Sequence, residues 1–122
     1  MVEVRTVDDF LGGANEHAAG LFRRFQQLVE SCGPIETSVS RTVVYFKRSR
    51  VFAGGFVRGR KLEIVIDLLR TVEHPLLLSS FHTTKTVISH RLRISETGQL
   101  DDSIQALLHE AYADVGPGTR GG

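Results

Sequence analysis

Five histidines and a single cysteine are the side chains best suited to carry chemistry in this chain of 122 residues. No two of His17, His74, His82, His90 and His109 stand at the i, i+4 spacing that presents two imidazoles to a metal from one helical face. Cys32 has no cysteine partner, so neither an intrachain disulfide nor a thiolate zinc site can be built from one chain. It closes an apolar helical stripe at the end where the helix dipole disfavours a thiolate, and reads as a core residue. Nucleophilic catalysis also lacks its frame, because there is no Gly-x-Ser-x-Gly elbow and Gly12-Gly13 and Gly54-Gly55 match neither phosphate-cradling fingerprint. Asp8-Asp9 and Asp101-Asp102 are helix-start residues, and Glu63 and Asp67 flank an apolar strand face without a facing acid. The paired carboxylates of a glycosidase or a metal-dependent nuclease are therefore missing. No catalytic residue, metal or cofactor is assigned.

His90 differs from the other histidines because it alternates in register with Ile88 and Leu92. One reading is a semi-buried imidazole bonded to backbone or to a carboxylate such as Glu63 or Asp67. The other is a small-ligand pocket, or a minor enzyme site, between sheet and helices with Tyr45 and Lys47 nearby.

Charge supplies the clearest functional signal. The whole chain carries 15 basic against 14 acidic residues, a net of +1. Yet Arg41, Lys47, Arg48, Arg50, Arg58, Arg60 and Lys61 fall within 21 positions that hold no acid, leaving 8 basic against 14 acidic residues elsewhere, a net of −6. Arg48, Arg50, Arg60 and Lys61 are expected on two hairpin tips, and Arg91 and Arg93 on a sheet face with Tyr45 and Lys47. Such a surface suits nucleic acid or an acidic protein segment. The competing explanation is that charged strand edges block aggregation.

The elements that must position these residues follow from periodicity. Thr6 and Asp9 form a capping-box pattern for a short first turn. Behind Asn15 as N-cap, Ala18, Leu21, Phe22, Phe25, Leu28, Val29 and Cys32 recur at helical spacing until Gly33-Pro34. The period then changes to two, giving strands over 35–39, 42–47, 51–58, 62–67 and 86–94, with a turn at Gly59-Arg60. Gly54-Gly55 inside the third strand signals a bulge, a bend or a close approach. Residues 68–84 are compatible with loop, helical turn or strand. A last helix starts at Asp101 or Asp102 and carries Ile104, Leu107, Leu108, Ala111, Tyr112 and Val115 in one stripe.

The run Arg41-Thr42-Val43-Val44-Tyr45-Phe46-Lys47-Arg48-Ser49-Arg50-Val51-Phe52-Ala53, the strand Ser89-His90-Arg91-Leu92-Arg93-Ile94, and the ending from Leu100-Asp101-Asp102 to Glu110-Ala111-Tyr112 resemble a small bacterial family. It is known as domain of unknown function 5655, and the likeness spans roughly residues 21–115. The resemblance implies an accessory domain, since members occur alone, behind a small helical domain, or at the end of larger nuclease-like proteins. It brings no catalytic residues.

These readings converge on one α+β domain over residues 1–115, with an antiparallel sheet of about five strands and helices from both chain ends packed on one face. Residues 116–122 are expected to form a flexible Gly/Pro tail. The expected function is a non-catalytic binding or interaction module. Its contact residues are Arg41, Tyr45, Lys47, Arg48, Arg50, Arg60, Lys61, His90, Arg91 and Arg93. Homodimerisation through a sheet edge or the uncovered face is compatible with this layout. With no basic-apolar leader and no run of about 18 apolar residues, the expected setting is cytoplasmic, away from membranes.

Overall fold

A computed structural model describes residues 6–118. In chain order it contains helix α1 (Val7–Leu11), helix α2 (Glu16–Glu30), strands β1 (Glu36–Val39), β2 (Val44–Lys47), β3 (Val51–Arg58), β4 (Lys61–Leu68), β5 (Leu77–His82) and β6 (Ile88–Ile94). A short 3₁₀ turn (Thr97–Gln99) then leads into helix α3 (Asp102–Asp114). All six strands form one antiparallel sheet in the order β1-β2-β3-β4-β6-β5. The architecture is α+β, with the helices at both chain ends on one sheet face and one strand more than the alternation pattern predicts.

That additional strand is β5, in the segment whose pattern left three options open. It occupies the sheet edge and all but its first residue are exposed, so it never shows the half-buried alternation that marks an interior strand. Two expected strands start two residues later than their patterns suggest, because hydroxyls take over the backbone donors. The Ser40 hydroxyl accepts from the Val43 N–H, and the Thr84 hydroxyl accepts from the N–H groups of Thr86 and Val87.

The core lies between the sheet and α2 with α3. Along β4, Leu62, Ile64, Ile66 and Leu68 face the helices, and Val44 and Phe46 of β2 join them. Phe22 and Phe25 of α2 meet Phe46 with ring centroids 6.3 Å and 5.8 Å away, in stacked and edge-on contact respectively. Each such fully buried side chain stabilises the fold by about 1.5–3 kcal/mol. The helix starts are capped as their sequences imply. Thr6 and Asp9 form the reciprocal box, the Asn15 carboxamide oxygen accepts from two N–H groups, and Asp101 does the same at α3.

Gly54 and Gly55 resolve to close approaches on opposite faces. A Cβ at Gly55 would press on the Phe25 ring, and one at Gly54 on the Tyr45 ring. The bulge sits two residues earlier, where Phe46 pairs with Ala53 and Lys47 with Val51. Phe52 is thereby the extra residue, and it packs edge-on against Tyr112 of α3 at 5.4 Å.

The expected tail needs correction at its first residue. Gly116 is buried, and its carbonyl accepts 2.8 Å hydrogen bonds from both Ser49 and Arg50, so the end of α3 is tied to the β2–β3 turn. Residues 119–122 lie outside the described residues.

Gly33 joins α2 to the sheet with φ near +143°, and a Cβ there would fall 2.6 Å from the Tyr112 hydroxyl. That hydroxyl donates to the Pro34 carbonyl at 3.0 Å. Gly33→Ala is expected to lower the stability by about 1–3 kcal/mol, because it combines left-handed backbone strain with this clash. Urea unfolding followed by circular dichroism reads the change, and an unaltered midpoint would contradict it.

Candidate binding surface on the uncovered sheet face

Strand alternation sends a second set of side chains away from the helices. From β1 to β5 the bare face carries Glu36 and Ser38, Tyr45 and Lys47, Gly54 and Phe56, Glu63, Val65 and Asp67, then Ser89, Arg91 and Arg93, and finally Ser79 and Phe81. A groove of about 480 Å³ runs across it, between Tyr45 on one rim and Phe81 on the other, over Phe56, Val65, Asp67, Ser89 and Arg91. The rim rings are among the few large apolar groups left in solvent, with Tyr45 42% and Phe81 50% exposed. Gly54 leaves the space that the Tyr45 ring occupies against β3, and this shapes the near wall.

Two acids are set into this face at distinct places, four residues apart on β4. Asp67 accepts a 2.6 Å hydrogen bond from the Ser89 hydroxyl. Burial pushes its carboxyl above the ordinary value, against the opposing pull of the Ser89 bond, Arg50 and His90. Glu63 is 1% exposed and lies beneath three arginines: Arg58 and Arg93 stand 3.6 Å and 3.7 Å from its Oε2, and Arg91 stands 3.8 Å from its Oε1. Arg91 also covers the Phe56 ring, its guanidinium carbon 5.5 Å from the centroid.

The expected contact residues divide accordingly. Tyr45, Lys47, Arg91 and Arg93 share the bare face, as the alternation requires. The hairpin tips do not meet. Arg48 and Arg50 lie in the β2–β3 turn, whereas Arg60 in the β3–β4 turn and Lys61 at the start of β4 lie at the opposite end of β3. Several of these cations are already engaged. Lys47 pairs with Glu36 at 3.6 Å, and Arg48 lies over the Tyr112 ring at 4.6 Å while donating to the Tyr112 carbonyl. Arg41 shares a second recess with Arg58 and Gly59, at the Arg60 end.

His90 follows its first reading, an imidazole bonded to backbone, and is corrected out of the contact surface and out of a pocket shared with Tyr45. It is fully buried on the helix side, facing opposite to Tyr45, so no pocket unites the two. Its Nε2 accepts from the Val72 N–H at 3.1 Å, which leaves the proton on Nδ1, 3.3 Å from the Ile66 carbonyl. The partners are backbone groups, and neither carboxylate takes part. His90 thereby anchors the start of the β4–β5 connection beneath the sheet edge.

Comparison with known families now bears on the chain. A family model described as "Domain of unknown function (DUF5655)" matches residues 7–115. The chain belongs to this family. No curated protein and no solved structure matches it. In this DUF5655 domain the match starts at the first residue of α1 and ends at the residue capping α3, so every strand that builds the bare face falls inside it. Among the described residues no group of three or more His, Cys, Asp or Glu side chains could hold a metal ion, and no helix is long and apolar enough to cross a membrane.

Sequence reasoning missed the Glu63 cluster and the Phe81 rim. Glu63 alternates with Leu62 and Ile64, which places it opposite the core. Only the pairing of β4 with β6 brings Arg91 and Arg93 over it.

Two chemical expectations follow for the DUF5655 domain. Asp67 is harder to ionise folded than unfolded, so the folded chain binds more protons, and stability falls as pH rises from the ordinary carboxyl value of 3.8 through the raised folded value. Asp67→Asn keeps an oxygen to accept from Ser89 and removes that dependence. Its stability advantage over the parent should grow with pH across this window and then level off, as measured by urea titrations at stepped pH. Cys32 lies just beyond α2, partly buried, with its thiol pushed up to about 11 by burial. Iodoacetamide at pH 8 should therefore label the folded protein far more slowly than the unfolded one, and equal rates would disprove a shielded thiol.

Proposed function

We propose that this chain is a non-catalytic binding module for an acidic partner, with the uncovered sheet face as its contact surface. The observation carrying this reading is the groove between Tyr45 and Phe81, floored by Phe56 and Arg91, on a face that neither helix covers. Exposed aromatic rings on a sheet beside guanidinium groups are the components that stack bases and neutralise phosphates in single-stranded nucleic-acid platforms. This favours a single-stranded nucleic acid within the acidic class. Tyr45, Lys47, Arg91 and Arg93 carry the contact, while Arg48 serves mainly to fasten α3 to the β2–β3 turn.

Fluorescence anisotropy with a labelled single-stranded oligonucleotide, a duplex of equal length and a polyglutamate peptide tests the proposal. The single strand should bind most tightly, with affinity falling steeply between low and moderate salt. Tyr45→Ala and Phe81→Ala should each weaken it by about tenfold, the loss of one stacking contact. Preference for polyglutamate would redirect the reading to an acidic protein segment, and no binding of any probe at low salt would overturn it.

A further inference from the structure

Two carboxylate–arginine arrangements in this protein differ in a telling way. On the exposed side of α3, Glu110 receives both ends of the Arg70 fork at 2.9 Å, the ordinary bidentate pair. Glu63 is far more buried and has three guanidinium groups around it, yet none approaches closer than 3.6 Å and its Oε2 accepts no hydrogen bond. Neutralising one buried carboxylate needs one arginine. Three leave a local excess of two positive charges whose N–H donors are not spent on Glu63.

We infer that Arg58, Arg91 and Arg93, gathered by Glu63, form a subsite for a phosphate-type oxyanion at the β3–β4 end of the bare face. This deepens the binding-module reading and rests on it. The three side chains remain 67%, 40% and 42% exposed, so their outer edges are open to a ligand while Glu63 holds their inner edges together. Arg91 is steadied further by the Phe56 ring, and its buried Nε has no hydrogen-bond partner. A terminal phosphate, or a pair of adjacent backbone phosphodiesters, offers three or more acceptor oxygens and up to two negative charges, which matches three arginine forks and their excess charge. A carboxylate offers two oxygens and one charge. Arg41, which lines a recess with Arg58, adds a further cation at the same end. Glu63 is thus a positioning residue, and the arginines are the binding groups.

A nucleic acid and a free phosphate compound are the two sources of such an oxyanion, and the experiment separates them. Inorganic pyrophosphate is titrated into the folded protein at low salt by calorimetry, then used to compete with the labelled single-stranded oligonucleotide. Pyrophosphate should bind saturably and displace the oligonucleotide. Arg93→Ala should weaken both interactions by about tenfold, and Arg93→Lys, which keeps the charge without the fork, by a smaller factor. Arg24→Ala, on the solvent face of α2, should leave both unchanged, and thermal melts confirm that the variants are folded. If the oligonucleotide binds but pyrophosphate neither binds nor competes, the subsite is refuted and the wider surface survives. Saturable pyrophosphate binding without oligonucleotide binding would retain the subsite for a free phosphate compound and remove the nucleic-acid reading. If neither probe binds the parent protein, both proposals fail.

Discussion

The alternation along β4 governs much of this structure. Leu62, Ile64, Ile66 and Leu68 must leave water together, and the only apolar layer available to them is the stripe presented by α2 and α3. Once that face is committed, Glu63, Val65 and Asp67 have no choice but the other, since a strand cannot turn one residue without its neighbours. β3 and β6 inherit the same division through their pairing with β4. Burial of one face therefore creates the second, on which two buried acids, three aromatic rings and several arginines are assembled.

That second face departs from the usual economy of a solvated sheet. Asp67 and Glu63 are both nearly hidden, and burying carboxylates is unfavourable unless neighbours compensate. Ser89 and Arg50 partly compensate Asp67, and three arginines more than compensate Glu63 in charge while leaving it short of hydrogen bonds. Retaining such groups where apolar residues would pack more simply is characteristic of surfaces shaped by a ligand. The proposed anion subsite and aromatic groove lie on the same face as these desolvated carboxylates.

The helical stripes, the Asn15 and Asp101 caps, and the alternation in β3, β4 and β6 were legible because each is a short-range pattern with a direct physical cause. β5 was not, because an exposed edge strand need not alternate in polarity. The basic run from Arg41 to Lys61 was equally visible. However, Arg48 and Arg50 precede β3 and Arg60 follows it, so the length of that strand sets them at opposite ends of the sheet. His90 illustrates the same limit. Its register with Ile88 and Leu92 correctly placed it on their face, but periodicity within single strands could not say that Tyr45 lay on the other.

By itself, then, the sequence determined the α+β class, the helix ends, the faces of individual strands and the absence of a recognisable catalytic motif, all consequences of local periodicity and side-chain chemistry. Only the tertiary structure decided which strands are neighbours. The partnership of β4 with β6 spans a connection that no local rule specifies. It brings Arg91 and Arg93 over Glu63 and Ser89 against Asp67. Where function depends on charges converging from distant parts of a chain, their meeting is set by sheet order, which the packing of the whole core selects.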